Sequence, residues 1–403
     1  MSNICIVSRS NYDHLKKNGH RFTCLSDSNI IYIFSLRSKF DAPKGTYEEL
    51  HLVELRDSED YIPELIKAIS TRKKIKYIIS MSEQDLLPCA AARDKLHLDG
   101  LSYKDAIKFR DKFIMKQIAE SVDVKVPNYS LLSNKDVSLR LLNDHGKIIL
   151  KPRDGYGSQG VVVINNKDEL DYYSTKLNLC SNDYLIEEFI EYDVYHLDVL
   201  LRDGKIIFSS LGKYDSPLID INEKEWSCSF ISNKKSSIHL DALRIFKNLI
   251  SGFGVNDGVF HFEFFSNGKE IYFCEIAIRP AGGGITDTID QTWDINLNEE
   301  HVKLQMHTAS SFGPENEFPV CYSAEMLMMS PKGGRIKEIA GIKEINTEEF
   351  KKIKIDKAKG DVIEPSRHSG DSVLTIILSS ESEDGLKRAM KMVKETVRIE
   401  FED

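Results

Sequence analysis

Two stretches of this 403-residue chain hold residue types and spacings suited to phosphate chemistry. The first is KPRDGYGSQGVVVI, residues 151–164. Its glycines Gly155, Gly157 and Gly160 follow the spacing G-x-G-x-x-G, and Lys151 precedes them. In a dinucleotide-binding fold that spacing opens a helix whose N-terminus carries the pyrophosphate. Here Val161, Val162 and Val163 follow instead, and β-branched residues favour a strand. The loop therefore joins strand to strand. With no Cβ in the way, its N–H groups can approach phosphate oxygens, and Lys151 adds a positive charge. A flexible hairpin without a ligand is the plain alternative. No G-x-x-x-x-G-K-[ST] loop occurs.

The second stretch, VFHFEFFSNGKEIYFCEIAIRP (259–280), reads as two strands around Asn267 and Gly268. Successive strand residues alternate faces. Phe260, Phe262 and Phe264 make a core face, with His261 and Glu263 opposite. On the second strand Tyr272, Cys274, Ile276 and Ile278 make the core face, with Glu275, Ala277 and Arg279 opposite. An odd-length turn puts Glu263 and Glu275 on one face as diagonal neighbours, within ~7–8 Å at Cα. Two facing carboxylates need a counter-charge, and carboxylate plus phosphate oxygens is the Mg²⁺ habit. Arg279 offers a guanidinium fork for carboxylate or phosphate. A surface ion pair between Glu275 and Arg279 is the alternative. The run RPAGGGI (279–285) favours an anion site, because its small residues leave backbone N–H groups open.

These residues need a scaffold. NICIVS (3–8), IIYIFSL (30–36) and IKYIIS (75–80) read as buried strands, with a helical pattern at 60–70 between the last two. That is a parallel βαβ pattern, expected to end near residue 105. Residues 104–122 read as one amphipathic helix, stopped by Val126-Pro127. Strands at 147–152 and 160–165 flank the glycine loop, and a hairpin turns at Asp203-Gly204. Residues 242–254 read as a helix ending in glycine. Past about 315, short strands and a terminal helix (382–397) read as a small α+β unit. The expected class is α/β and α+β multidomain, divided as 1–105, 106–315 and 316–403, with a lid subdomain at about 125–190.

Composition sets limits on function. Charged residues are 29%, the hydrophobic set is 41%, and the net charge is −9. No large basic face is implied, which argues against nucleic acid as a partner. TRKKIK (71–76) reads as solvated surface. Seven scattered cysteines without C-x-x-C fit a reducing compartment. The opening MSNICIVSRS lacks a signal-peptide pattern, and no apolar run approaches ~18 residues, so no membrane partner is expected. The cytoplasm is the expected location.

In this order, the two constellations resemble the ATP-grasp superfamily. FRDKFIMKQIAESVDVKVPNY (109–129) is similar to the family's segment with a first phosphate-contacting lysine, here Lys112. IILKPRDGYGSQGV carries the second, Lys151, and the lid loop with Gly155, Gly157, Ser158 and Gly160. YLIEEFIEYDVYHLDV resembles the hinge, where Glu187 would meet the adenine amino group and the backbone of Glu188, Phe189 and Ile190 the ring edge. HFEFF and FCEIAIRPAGGG would carry the metal acids Glu263 and Glu275 and the catalytic Arg279. The tail resembles the C-terminal domain of the branch with biotin carboxylases and amino-acid ligases. Two departures stand out. Ala277 occupies the place of a common asparagine metal ligand, and Tyr192 and Val194 replace the usual end of the hinge. Ribose candidates are Asp193, His196 and Asp198; His196 and His261 also read as structural histidines.

The resemblance implies ATP with Mg²⁺, or Mn²⁺. A carboxylate would take the γ-phosphoryl group, and an amine would attack the acyl phosphate with release of ADP. Arg279 would hold the carboxylate, helped by the Gly283 and Gly284 backbone. Glu83, Tyr214 and His261 are further substrate candidates, with Trp226 and His239 in or beside the unread segment 213–238. The leading expectation is a ligase making a dipeptide or amide from amino acids, the kind of enzyme that serves antibiotic-like peptide biosynthesis. Loading of a carrier protein, a biotin-carboxylase-like or purine-biosynthesis activity, and a non-catalytic ATP-binding module stay open. A homodimer is a further expectation.

Overall fold

The computed structural model describes residues 3–402 except 27, 55–57, 178–181, 218, 220–222, 232–235, 311, 313–320 and 346. Four parallel strands open the chain: β1 (Asn3–Ser8), β2 (Asn29–Ser35), β3 (Glu49–Val53) and β4 (Ile75–Ser80), ordered β3-β2-β1-β4. β1 and β2 are buried nearly throughout, which is why they read as continuous apolar runs. β3, with its half-exposed ELHLV, carried no such signal. Helices α1 (Ser58–Ser70) and α2 (Leu86–Leu96) pack against this sheet through Ile62, Ile66, Ile69, Cys89 and Ala92.

The region expected as one helix at 104–122 is broken. It forms α3 (Tyr103–Ala106), a 3₁₀ turn at Ile107–Phe109, and α4 (Lys112–Ser121). Asp111 makes the break: its carboxylate accepts the N–H groups of Phe113 and Ile114, capping α4. It also pairs with Arg153 near the glycine loop. Lys112 thereby becomes the first residue of a helix and not a mid-helix surface lysine.

A four-stranded antiparallel sheet follows, from β5 (Tyr129–Leu131), β6 (Ile148–Pro152), β7 (Val162–Ile164) and β8 (Tyr184–Glu188), ordered β5-β8-β6-β7. Helices α5 (Lys135–His145) and α6 (Lys167–Lys176) cover it. The glycine loop joins β6 to β7, strand to strand. Gly157 and Gly160 sit at φ +56° and +74°, where a side chain is strained.

The largest sheet runs through most of the remaining chain. Its strands are β9 (Asp193–Arg202), β10 (Lys205–Tyr214), β11 (Trp226–Ile231), β12 (Gly258–Ser266), β13 (Ile271–Ala277), β14 (Tyr322–Met328) and, numbered below, two from the tail. The tail adds β15 (Gly334–Ala340), β16 (Phe350–Ile355), β17 (Val362–Ile363), β18 (Leu374–Ser380) and β19 (Arg398–Phe401). The eight-stranded order is β13-β12-β9-β10-β11-β14-β18-β16, so three strands beyond residue 315 extend the same sheet. β17, β15 and β19 form a small separate sheet. One face of the large sheet presents Leu197, Val199, Phe260, Phe262 and Phe264 to α4 and α7 (Ser237–Phe253). The other packs against α8 (Ile285–Trp293) and α9 (Leu297–Gln305) and holds polar side chains beside them.

Removing the cap that breaks the helix tests this reading. Asp111→Ala should cost about 1–2 kcal/mol in urea denaturation and weaken the attachment of Arg153. An unchanged midpoint would show that the helix start is fixed by packing alone.

Candidate active site

A cavity of about 540 Å³ lies between the lid sheet and the large sheet. β6, the glycine loop and the segment after β8 line one side; β10, β12, β13 and β14 line the other. The structure brings most of the expected residues here: Lys112, Lys151, Gly155, Gly157, Ser158, Glu187, Glu188, Phe189, Ile190, Asp193, Tyr214, His261, Glu263, Glu275, Arg279 and Gly283. Four others stand behind the wall. Gly160 backs onto Pro152, and Gly284 is bonded to Glu325. Glu83 is engaged with two arginines, and His196 is fully buried with both ring nitrogens occupied. Of the residues noted in or beside 213–238, Trp226 and His239 lie outside the cavity, Trp226 buried and His239 beside Ser209. Parts of that segment (218, 220–222, 232–235) lie outside the described residues.

The hairpin differs from expectation in one decisive detail. Glu263 pairs directly with Glu275, and the next pair is Phe264 with Phe273. The extra residue, Cys274, is a bulge. It moves Phe273, fully buried, onto the core face and turns Cys274 and Glu275 together toward the cavity. Strict alternation had placed Cys274 and Tyr272 in the core. Tyr272 instead stands opposite Phe265.

Each carboxylate meets a cation. The Lys112 Nζ lies 3.0 Å from Glu275 Oε2. On Glu263, Oε1 accepts from the Tyr214 hydroxyl at 2.8 Å and contacts His261 Nε2 at 3.2 Å. His261 Nδ1 contacts Asp198 at 2.9 Å, and the other oxygen of Asp198 meets His196 Nδ1 at 2.6 Å. Burial opposes charge on His261, but the Asp198 and Glu263 carboxylates win and hold its imidazolium up to about 10. Burial alone would raise Asp198; its two histidines pull it well below the usual carboxylate range. The trio His196, Asp198 and His261 has donor atoms close enough for a metal, yet every one is used in these hydrogen bonds.

Deeper in the lid, Glu187 Oε1 lies 2.8 Å from Lys151 Nζ and 3.2 Å from Lys116 Nζ. Burial pushes the Glu187 carboxyl up, and the two lysines outweigh it and hold it down. Lys116 is a buried cation that the helical pattern did not flag. At the cavity's other end Arg279 donates from Nε and Nη2 to Glu83 Oε2, and Glu83 Oε1 takes Arg110 at 2.5 Å. Arg110 in turn donates to the Asp154 carbonyl beside the glycine loop. Against burial, Arg279, Arg110 and Lys112 lower the Glu83 carboxyl to about 2.

With this geometry in view, relatives add their weight. Residues 117–292 match the model of the ATP-grasp domain. These residues carry an ATP-grasp domain. An L-arginine-specific L-amino acid ligase of Bacillus subtilis is 25% identical over 334 residues, 79% of either chain. A formate-dependent phosphoribosylglycinamide formyltransferase of Prochlorococcus marinus is 25% identical over 306 residues, 69% of this chain and 74% of its own. The crystal structure of an L-amino acid ligase from Bacillus licheniformis superposes with a TM-score of 0.79 at 18% identity, covering 100% of this chain and 99% of that one. Two of these three relatives are named as amino acid ligases, and the solved one shares the fold over the whole chain. Among the described residues of this chain no helix is long and apolar enough to cross a membrane.

Two outcomes follow. Glu83 is lowered from an ordinary 4.5 to about 2, so its stabilisation is present above pH 4.5 and disappears as pH falls through about 2. Glu83→Gln should cost about 3 kcal/mol at pH 7 and clearly less at pH 3, read by urea denaturation; an equal cost at both would contradict an ionised Glu83. A Cβ at Gly212 would lie 2.1 Å from His196 Nε2. Gly212→Ala should therefore lower the melting temperature, at a cost of roughly 1–3 kcal/mol.

Proposed function

We propose that this enzyme activates an amino acid, or a similar carboxylate, as an acyl phosphate and couples it to an amine. The products are a dipeptide or amide, ADP and phosphate. The observation that carries the proposal is the pair Glu263–Glu275 facing Lys112 and Lys151 across one cavity under a glycine hairpin. The relative named for L-arginine supports an amino acid as the carboxylate.

In this reading Glu187 meets the adenine amino group and the backbone of 188–190 meets the ring edge. Asp193 is the ribose candidate that lines the cavity. Lys112 and Lys151 leave their acid partners for phosphate oxygens. Phosphoryl transfer is mostly positioning and charge neutralisation, which such groups supply. The glycine loop closes over the phosphates and keeps water from the acyl phosphate. Arg279 holds the substrate carboxylate and then stabilises the oxyanion of the tetrahedral intermediate.

The donor set fits Mg²⁺ or Mn²⁺. Glu263 and Glu275 are hard oxygen donors, and on each the protein engages one oxygen, leaving Glu263 Oε2 and Glu275 Oε1 without a partner among the described residues. Ala277 contributes no donor. When bound, the cation neutralises charge on the phosphate oxygens.

The test is nucleotide product analysis with ATP, Mg²⁺ and a matrix of paired L-amino acids. ADP and phosphate should appear only with particular pairs; AMP would overturn the acyl-phosphate route. Glu275→Gln should reduce Mg²⁺-dependent turnover at least ~100-fold with an unchanged circular dichroism spectrum. Near-normal ATP consumption by that variant would refute the metal assignment.

A further inference from the structure

Seven acids line the cavity: Glu187, Glu188, Glu191, Asp193, Glu263, Glu275 and Glu325. Six face a lysine or a histidine of the protein: Glu187 Lys151, Glu188 His145, Glu191 Lys147, Asp193 Lys213, Glu263 His261 and Glu275 Lys112. Glu325 is the exception. It lies on β14, beyond the stretch in which the motifs were read, and is 3% exposed. Its Oε2 accepts the backbone N–H of Gly284. Its Oε1 has no hydrogen-bond partner among the described residues. A Cβ at Gly283 would lie 2.9 Å from Oε2 and 3.5 Å from Oε1. The Glu325 carboxyl therefore fills the space that a side chain at position 283 would take, four residues past Arg279. The glycine run thus has a second use: it lets an acid from the tail strand reach the reacting end of the cavity.

A buried acid with one held oxygen, one unengaged oxygen and no ion-pair partner among the described residues is complementary to an ammonium group. Burial raises its carboxyl to about 8, partly offset by the Gly284 N–H and by His261, with Asp198 and Asp287 adding to the rise. A general base works best near the operating pH.

We propose that Glu325 receives the ammonium group of the amine substrate and takes one of its protons before attack. This rests on the ligase reading above. One N–H bond breaks and its proton moves to Glu325. The amine lone pair then forms the C–N bond to the acyl carbon. The C–O bond to phosphate breaks with its electron pair, the second surplus proton leaves with phosphate, and Glu325 returns its proton to solvent.

Hydroxylamine tests this, because it is largely uncharged at pH 7 and needs no proton removed before attack. Wild type, Glu325→Gln and Glu325→Asp are given Mg²⁺, ATP and each common L-amino acid as carboxylate. The nucleophile is either hydroxylamine or a second L-amino acid. The ratio of dipeptide to hydroxamate should fall at least ~100-fold in E325Q and recover in part in E325D. An unchanged ratio in E325Q, or equal loss of both products in a variant that melts like wild type, would overturn the assignment. Wild type that forms neither product nor ADP with any amino acid would remove the ligase reading and this assignment with it.

Discussion

Two carboxylates set directly opposite each other on neighbouring strands repel. Glu263 and Glu275 do so at the bulge in the β12–β13 hairpin, and much of the surrounding structure answers that repulsion. Lys112 reaches Glu275 because Asp111 breaks the helical region and starts α4 at that residue. His261 and Tyr214 reach Glu263 from the same face of the large sheet, and Asp198 keeps His261 charged. The broken helix also frees Arg110, which ties the N-terminal sheet's Glu83 to the glycine loop through Asp154. One local conflict of charge thus links three parts of the fold.

The pattern of counter-ions also bears on binding. The phosphate-candidate lysines are paired with acids, Lys112 with Glu275 and Lys151 with Glu187. A nucleotide would compete with those acids for the same ammonium groups. Lys116, 3.2 Å from the same Glu187 oxygen, would still compensate its charge if Lys151 turned to a phosphate. Buried ion pairs are weak evidence for stability, because desolvation offsets attraction. Their arrangement suits the proposed site, which must accept several negative charges.

Much of this was legible in the sequence, and the gaps have physical causes. β1 and β2 announced themselves because burial on both faces leaves near-continuous apolar runs, and β4 did so through Tyr77, Ile78 and Ile79 despite the exposed Lys76. The glycine hairpin was readable from the valines that follow it, and the paired acids from period-two alternation. The bulge at Cys274 was not readable, because it breaks alternation without a glycine or proline to mark it. The break in the 104–122 helix was hidden because Asp111 fits an amphipathic surface as well as it fits a cap. Glu325 was out of reach for another reason: it enters the cavity only because β14 pairs with β11, setting Glu325 opposite Ser229, and so joins the sheet that also holds β12. His196 shows the opposite limit, since a histidine of suitable spacing turned out to be fully committed to Asp198 and Ser229.

The central claim is that ATP activates a carboxylate as an acyl phosphate, and oxygen tracing tests it most directly. Common L-amino acids labelled with ¹⁸O in the carboxylate would be turned over with ATP and Mg²⁺, and the phosphate and nucleotide products examined by mass spectrometry. The account predicts one ¹⁸O in inorganic phosphate for each ADP released, with none in AMP. Label in AMP, or ADP release with unlabelled phosphate, would contradict it.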